Sequence, residues 1–156
     1  MDKWTFTQNV EQCSRTLYRV AMSYTGNPAD AADAVQEALV RAWTRRQTLR
    51  NEAFFSTWLT RIVINECKTL LRKQRRMIPV DTVPDRTLPA SDADPVLFDK
   101  LMQLEEKYRV PLVLFAVEGY KLREIAAMLH LPQGTVKTRI ARAKCKLEKE
   151  VLNDEY

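Results

Sequence analysis

An all-α fold of two small helical domains is what this sequence predicts, on three observations. Apolar residues recur at intervals of three and four along most of the chain, and no segment alternates apolar and polar residues at convincing strand length. A proline-punctuated stretch, residues 77–95, then divides the periodic segments into two groups. At 156 residues, each half has chain enough for a modest core only.

The first helix is expected over residues 6–24, where Val10, Cys13, Leu17, Val20, Ala21 and Tyr24 share a face before Gly26, Asn27 and Pro28 break the pattern. Pro28 suits the first turn of a second helix running to about Arg46. Asp30 and Asp33 meet its positive end, and Ala31, Val35, Leu39 and Ala42 form its buried stripe. After a weakly periodic stretch, residues 47–52, a third helix carries Phe55, Trp58, Leu59, Ile62, Val63, Leu70 and Leu71 inward and ends in a basic run.

Pro79, Pro84, Pro89 and Pro95 forbid a helix through residues 77–95, which read as a flexible linker between domains 1–76 and 96–156. Such a linker would span about 60 Å drawn out and about 25 Å as a free coil. Beyond it the pattern predicts a short helix over residues 96–104, an apolar helix within 109–117 beginning around Pro111, and a corner at Gly119. A helix-turn-helix then follows. Leu122, Ile125, Ala126 and Leu129 make its first face, Leu131, Pro132, Gln133 and Gly134 its turn, and Val136, Ile140 and Leu147 the anchors of its second helix.

Composition narrows the function. The formal charge of +5 favours an anionic partner, but with 20 acidic residues against 25 basic ones the basic surface must be local. Three glycines, Gly26, Gly119 and Gly134, cannot write a Walker loop or a dinucleotide fingerprint. One histidine, His130, and the scattered Cys13, Cys67 and Cys145 offer no metal-ligand spacing and no disulfide framework, so neither metal nor cofactor is expected. His130 reads as a helix-end residue, and Cys67 and Cys145 as small helical fillers. The opening MDKWTFTQNVEQC lacks a signal-peptide apolar run, and no later segment reaches membrane-spanning length, which predicts a soluble cytoplasmic protein with reduced thiols.

Three patterns carry chemistry. In the helix-turn-helix, Thr135, Lys137, Thr138, Arg139 and Arg142 fall near the exposed N-terminal half of the second helix, where a recognition helix meets base edges and phosphates. Lys144, Lys146 and Lys149 read as solvated or phosphate-facing. Asp30, Asp33 and Glu37 share a helix face with Gln36 beside them, which alone is what a solvated, dipole-matched face looks like. The run Arg72, Lys73, Gln74, Arg75 and Arg76 exceeds what a helix end requires and suits a nucleic-acid backbone. Asn65 has the paired donor and acceptor of a base-reading side chain or is an exposed helix residue. Trp43, Phe55 and Trp58 offer π-faces for bases, but their spacing beside Leu39 and Ile62 favours a core role.

Taken together, these segments resemble the extracytoplasmic-function (ECF) sigma factors of the sigma-70 family. DAADAVQEALVRAW (residues 30–43) is similar to that family's polymerase-binding segment, and FFSTWLTRIVINECKTLLRKQRR (54–76) to its DNA-opening, −10-reading segment. Residues 104–147 resemble its −35-reading domain. The resemblance implies that Asp30, Asp33, Gln36 and Glu37 face core RNA polymerase, and that Leu49, Arg50, Asn51, Glu52 and Ala53 form a loop capturing a flipped −10 base. It further implies that Asn65, with Arg61, Lys68, Arg72, Arg75 and Arg76 on the same helix, meets −10 DNA. Thr135, Lys137, Thr138, Arg139, Ala141 and Arg142 would meet −35 DNA. An anti-sigma factor, often membrane-anchored, is the further partner implied. Glu105 stands where the family usually has proline, and Ala141 is small where other members place larger contacts.

The function expected is therefore promoter-directed initiation with core RNA polymerase, by a protein that is not itself an enzyme. Two promoter elements about one and a half helical turns apart lie about 50 Å from one another on B-DNA, within reach of the drawn-out linker. A conventional helix-turn-helix regulator would instead bind duplex DNA without polymerase. A nucleic-acid hydrolase would need clustered carboxylates or histidine, and the one carboxylate group lies at the start of the second helix, on what looks like a protein-binding face.

Overall fold

The computed structural model describes the backbone of residues 1–77 and 94–155 and the side chains of 1–76 and 94–152. All regular structure among them is helical. The chain divides into two compact units, one before and one after the residues left undescribed.

In the first unit, α1 (Lys3–Thr25), α2 (Pro28–Thr44) and α3 (Phe55–Met77) pack pairwise against one another. Each start has a physical cause. Asp2 accepts the Thr5 N–H at 2.7 Å, satisfying a free donor at the head of α1. Gly26, at φ +64, closes α1 with its N–H on the Met22 carbonyl. Asn27 then accepts the N–H groups of Ala29 and Asp30, and Pro28 supplies the first helical residue. The core holds Leu17, Val20, Ala21 and Met22 from α1 and Leu59, Val63, Ile64 and Cys67 from α3.

Two expectations for this unit change. The buried stripe of α2 is Ala31, Ala34, Ala38 and Ala42, while Val35 and Leu39 are half-buried on its flanks. The apolar pattern admitted both stripes; close helix approach selects the alanines. On α3, Trp58, Ile62, Leu70 and Leu71 are likewise half-buried, and the inward line runs through Phe55, Leu59, Val63, Ile64 and Cys67. The aromatic residues do form core. Phe6 meets Trp43 at 5.2 Å and Phe55 at 5.7 Å, both edge-on, and Phe55 meets Trp58 at 5.8 Å, so rings from all three helices interlock. Arg46 covers this cluster with its guanidinium 3.7 Å from the Trp43 ring. Burial pushes the Cys13 thiol up to about 11 while its Sγ donates to the Asn9 carbonyl, the behaviour of a protonated filler.

In the second unit, α4 (Pro95–Gln103), α5 (Glu106–Leu112) and α6 (Leu122–Leu129) all pack on α7 (Gln133–Glu155) directly or through the turn that follows α5. Residues 78–93 of the expected linker lie outside the described residues. Its ends do not: Met77 closes α3, and Pro95 opens α4 behind Asp94, which accepts the Val96 N–H at 3.0 Å. Pro95 begins a helix because the first helical residue has no use for its missing N–H.

Nor does the next helix begin at Pro111. It begins at Glu106, with the Tyr108 and Arg109 N–H groups on the Glu105 carbonyl. Glu105 has φ −59, a proline-like value, so the loss of the family's proline leaves the backbone path intact. Pro111 sits inside α5 and is buried with Tyr108, Arg109, Val110 and Leu112. It withholds one N–H, a smaller loss than the packing it provides. The helix then widens into a π-type turn, Val113–Val117. Gly119, at φ +76, makes the expected corner. His130 is the left-handed cap of α6, at φ 56, with its N–H on the Ala126 carbonyl. The following turn is shorter than expected, because Gln133 and Gly134 already belong to α7. Cys145 is exposed, contrary to its reading as a filler.

Leu17 is fully buried where the first unit's helices meet. Leu17→Ala should destabilise that unit by about 2–5 kcal/mol. Trp4, Trp43 and Trp58 all lie in it, so tryptophan fluorescence during urea unfolding reads the change. An unmoved midpoint would remove Leu17 from the core.

Candidate nucleic-acid interface

The alanine stripe of α2 faces inward, so its opposite side points outward. Asp33, Gln36 and Glu37 are exposed there, at neighbouring positions of one helical face. Asp30 does not join them. It is half-buried, and its carboxylate accepts a hydrogen bond at 2.9 Å from the side-chain amide of Gln74 on α3. The four acidic-face residues expected together are therefore an exposed trio plus one residue that ties α2 to α3. Arg41 of α2 forms a second tie, an ion pair with Glu66 of α3.

Between α2 and α3 the chain makes two short 3₁₀ turns, Arg46–Thr48 and Glu52–Phe54. Arg50, Asn51, Glu52 and Ala53 are exposed, while Leu49 is half-buried. Asn51 braces the loop by accepting the Ala53 N–H at 3.0 Å. Beyond it, Arg61, Asn65, Lys68 and Arg72 follow one another on α3 at intervals of four, three and four residues, which places them on one stripe opposite the buried line. Arg61, Asn65 and Arg72 are exposed, Lys68 is half-buried, and Arg75 and Arg76 extend the positive surface through the last turn. Asn65 stands outward between two cations, a position that fits both a base-reading side chain and an exposed helix residue. The first unit thus carries an acidic outer face on α2 and a cationic stripe on α3.

In the second unit, Val136, Ile140 and Ala143 hold α7 to the core. At 3.6 residues per turn, Thr138 and Ala141 then point most directly outward. Lys137 lies on one flank, and Thr135, Arg139 and Arg142 on the other. That second flank lines a groove of about 380 Å³ with Gly134, Thr138 and two residues of α5, Lys107 and Tyr108. Three cations, Lys107, Arg139 and Arg142, around a groove at the head of a 23-residue helix concentrate positive charge there. Thr138 donates its hydroxyl to the Gly134 carbonyl at 2.9 Å, leaving the oxygen free to accept. Lys146 lies over the Tyr108 ring at 5.2 Å and Lys144 over Phe115 at 5.3 Å, so both are partly held by aromatic faces.

The sequence reading placed Thr135, Thr138, Arg139 and Arg142 at this surface and missed Lys107 and Tyr108. They precede the recognition helix by a whole helix and a corner, and only the packing of α5 on α7 brings them there. Among the described residues no group of histidine, cysteine and carboxylate side chains could hold a metal ion, and no helix is long and apolar enough to cross a membrane.

The comparisons with known proteins fit both units. The family model for sigma-70 region 2 matches residues 10–77, and that for sigma-70 region 4 matches residues 97–147. The chain is 34% identical over 151 residues to the ECF RNA polymerase sigma factor SigM of Mycobacterium tuberculosis, covering 94% of this chain and 76% of that protein. It is 27% identical over 169 residues to the ECF RNA polymerase sigma factor SigW of Bacillus subtilis, covering 96% and 90%. Among solved structures, CnrH in complex with the cytosolic domain of CnrY matches with a TM-score of 0.76 at 27% identity, over 98% of this chain and 91% of that one. RpoE of Bartonella quintana, solved with the anti-sigma factor NepR, has the same fold, with a TM-score of 0.81 at 24% identity over 93% and 95%. With region 2 and region 4 matched in order along one short chain, this protein belongs to the ECF group of sigma-70 family RNA polymerase sigma factors.

Proposed function

We propose that this chain directs core RNA polymerase to promoters and assists opening of the −10 DNA, with the first unit holding polymerase and −10 DNA and the second reading the −35 element. The observation that carries this is the separation of charge on the first unit. Two carboxylates, Asp33 and Glu37, stand outward on α2 with Gln36 beside them and a cationic stripe runs along α3, so one small unit offers distinct surfaces to a basic protein and to a polyanion. A regulator acting on duplex DNA alone has no use for this acidic face.

In this reading, Asp33, Gln36 and Glu37 meet polymerase, and Asp30 acts indirectly by fixing α2 against Gln74. Arg50 to Ala53 offer the base-capturing loop, with Leu49 as its half-buried root. Asn65 reads a −10 base edge while Arg61, Lys68, Arg72, Arg75 and Arg76 hold phosphates. On α7, Lys137 and Ala141 face bases and Arg142 reaches them from the groove's edge, whereas Thr135, Arg139 and Lys107, which line the groove with it, suit the backbone. The protein acts in the cytoplasm, beside polymerase and the chromosome. An anti-sigma protein that covers one or both surfaces completes the scheme; CnrH, solved in complex with the cytosolic domain of CnrY, supports a protein partner for a chain of this fold.

Reversing the charge of the trio tests the polymerase surface. Asp33→Lys with Glu37→Lys should slow association with core polymerase and change its salt dependence, leaving unfolding by urea unchanged because both side chains are exposed. Unaltered association by the folded double variant would reject this surface.

The α7 assignments separate by sequence selectivity. Lys137→Ala or Arg142→Ala in the holoenzyme should each cost about 1–3 kcal/mol on the preferred −35 sequence and flatten discrimination among a panel of variants. Lys149→Ala, exposed two turns beyond Arg142, should weaken all sequences alike and lower the salt slope by about 1. A uniform loss at positions 137 and 142 with a selective loss at 149 would reverse the docking of this helix.

A further inference from the structure

Helix α7 turns more than charge outward. Val136, Ile140 and Ala143 face the core, so the line most directly opposite them runs through Thr138 and Ala141, both exposed. Neither residue is charged. Ala141 ends in a methyl group, and Thr138 has its hydroxyl turned back onto the helix, donating to the Gly134 carbonyl at 2.9 Å. With that oxygen held against the backbone, the γ-methyl is the free end of the side chain.

The spacing of the two methyls matters. Residues three apart on a helix set their Cβ atoms about 5–6 Å from each other, so a third methyl placed between them touches both at about 4 Å, the ordinary contact distance of apolar carbons. Lys137 stands on one side of the pair and Arg142 on the other, both exposed. In the major groove, the C5 methyl of thymine is the apolar group that a base pair presents, and alanine and the threonine methyl are side-chain groups that suit it. Cytosine lacks that methyl, and 5-methylcytosine restores it beside an amino group.

We propose that Thr138 and Ala141 together seat the C5 methyl of one pyrimidine of the −35 element, that of thymine in unmodified DNA and that of 5-methylcytosine in methylated DNA. This rests on the reading that α7 lies in the major groove at that element. The two residues discriminate by contact alone, without a hydrogen bond to the base. A cytosine at that position gains the contact on methylation, so −35 binding responds there to cytosine-5 methylation of the promoter.

The test uses holoenzyme assembled from core polymerase and the full chain, with duplex probes from one promoter that it transcribes. Uracil replaces each −35 thymine in turn, on either strand, which deletes one methyl and leaves every hydrogen-bonding group in place. One such substitution should weaken binding about fourfold, equivalent to about 0.8 kcal/mol. Thr138→Ser, which removes the γ-methyl and keeps the hydroxyl, should bring that thymine-to-uracil ratio toward one, and so should Ala141→Gly. Thr138→Val, which keeps a γ-methyl and removes the hydroxyl, should retain the ratio. At the same position 5-methylcytosine should bind about fourfold more tightly than cytosine. The proposal is overturned if no position responds to uracil, if the ratio survives both Thr138→Ser and Ala141→Gly, or if 5-methylcytosine binds no better than cytosine. Lys137→Ala and Arg142→Ala separate the two levels of inference. If they flatten −35 preference while uracil has no effect, the α7 reading stands and the methyl contact fails; if no variant alters −35 preference, both fail.

Discussion

Helix α2 seats itself against α1 and α3 on an alanine stripe: Ala31, Ala34, Ala38 and Ala42 are its fully buried residues. Small side chains let the three backbones approach closely, and they leave the helix little tolerance for rotation, because any larger residue turned inward would overpack the seam. The orientation of the outer face follows from this. Asp33, Gln36 and Glu37 point outward because they lie opposite the alanines. Two polar ties between α2 and α3, from Gln74 to Asp30 and from Arg41 to Glu66, hold the same register. The surface proposed for polymerase and the helix proposed for −10 DNA are thus parts of one rigid body.

The amount of this that could be read in the sequence differs by residue. Caps and breaks were legible: Gly26, Asn27 and Pro28 end one helix and start the next as their backbone chemistry demands, and His130 closes α6. The stripe of α2 was not. Both Val35 with Leu39 and Ala34 with Ala38 fit a helical period, and hydrophobicity favours the larger pair, whereas the distance between packed helices favours the smaller. Pro111 misled for a related reason. Its local rule says that a helix begins there, but Tyr108, Arg109 and Val110 just before it are buried on α7, and that packing outweighs one missing hydrogen bond.

The same contrast governs the site residues. Arg61, Asn65, Lys68 and Arg72 were legible because they belong to one helix, where spacing alone decides the face. Asp30 could not be told apart from Asp33 and Glu37 because its hydrogen-bond partner, Gln74, lies 44 residues away. Lys107 and Tyr108 went unseen because their part in the α7 groove depends on how α5 packs. Phe55 was legible from spacing, as Arg61 was: its spacing with Leu59 assigns it inward, and the ring cluster at Phe6 and Trp58 holds it there while Phe54 beside it stays exposed.

On the proposed reading, the chemistry of α7 also restricts what promoter sequence it can discriminate. Residues 133–147 contain no carboxylate, so nothing on the reading half of the helix can accept a hydrogen bond from a cytosine amino group as Asp or Glu would. Thr138 retains an accepting oxygen, but its hydrogen is committed to the Gly134 carbonyl. The strong groups that remain are the donors of Lys137 and Arg142, which suit the O6 and N7 acceptors of guanine, and the methyl of Ala141, which suits the methyl of thymine. Ala141, between these cations in sequence and at the outermost part of the helix, allows the backbone to approach the groove floor. Its small size is therefore consistent with close docking, with Lys137 and Arg142 reaching past it to either side.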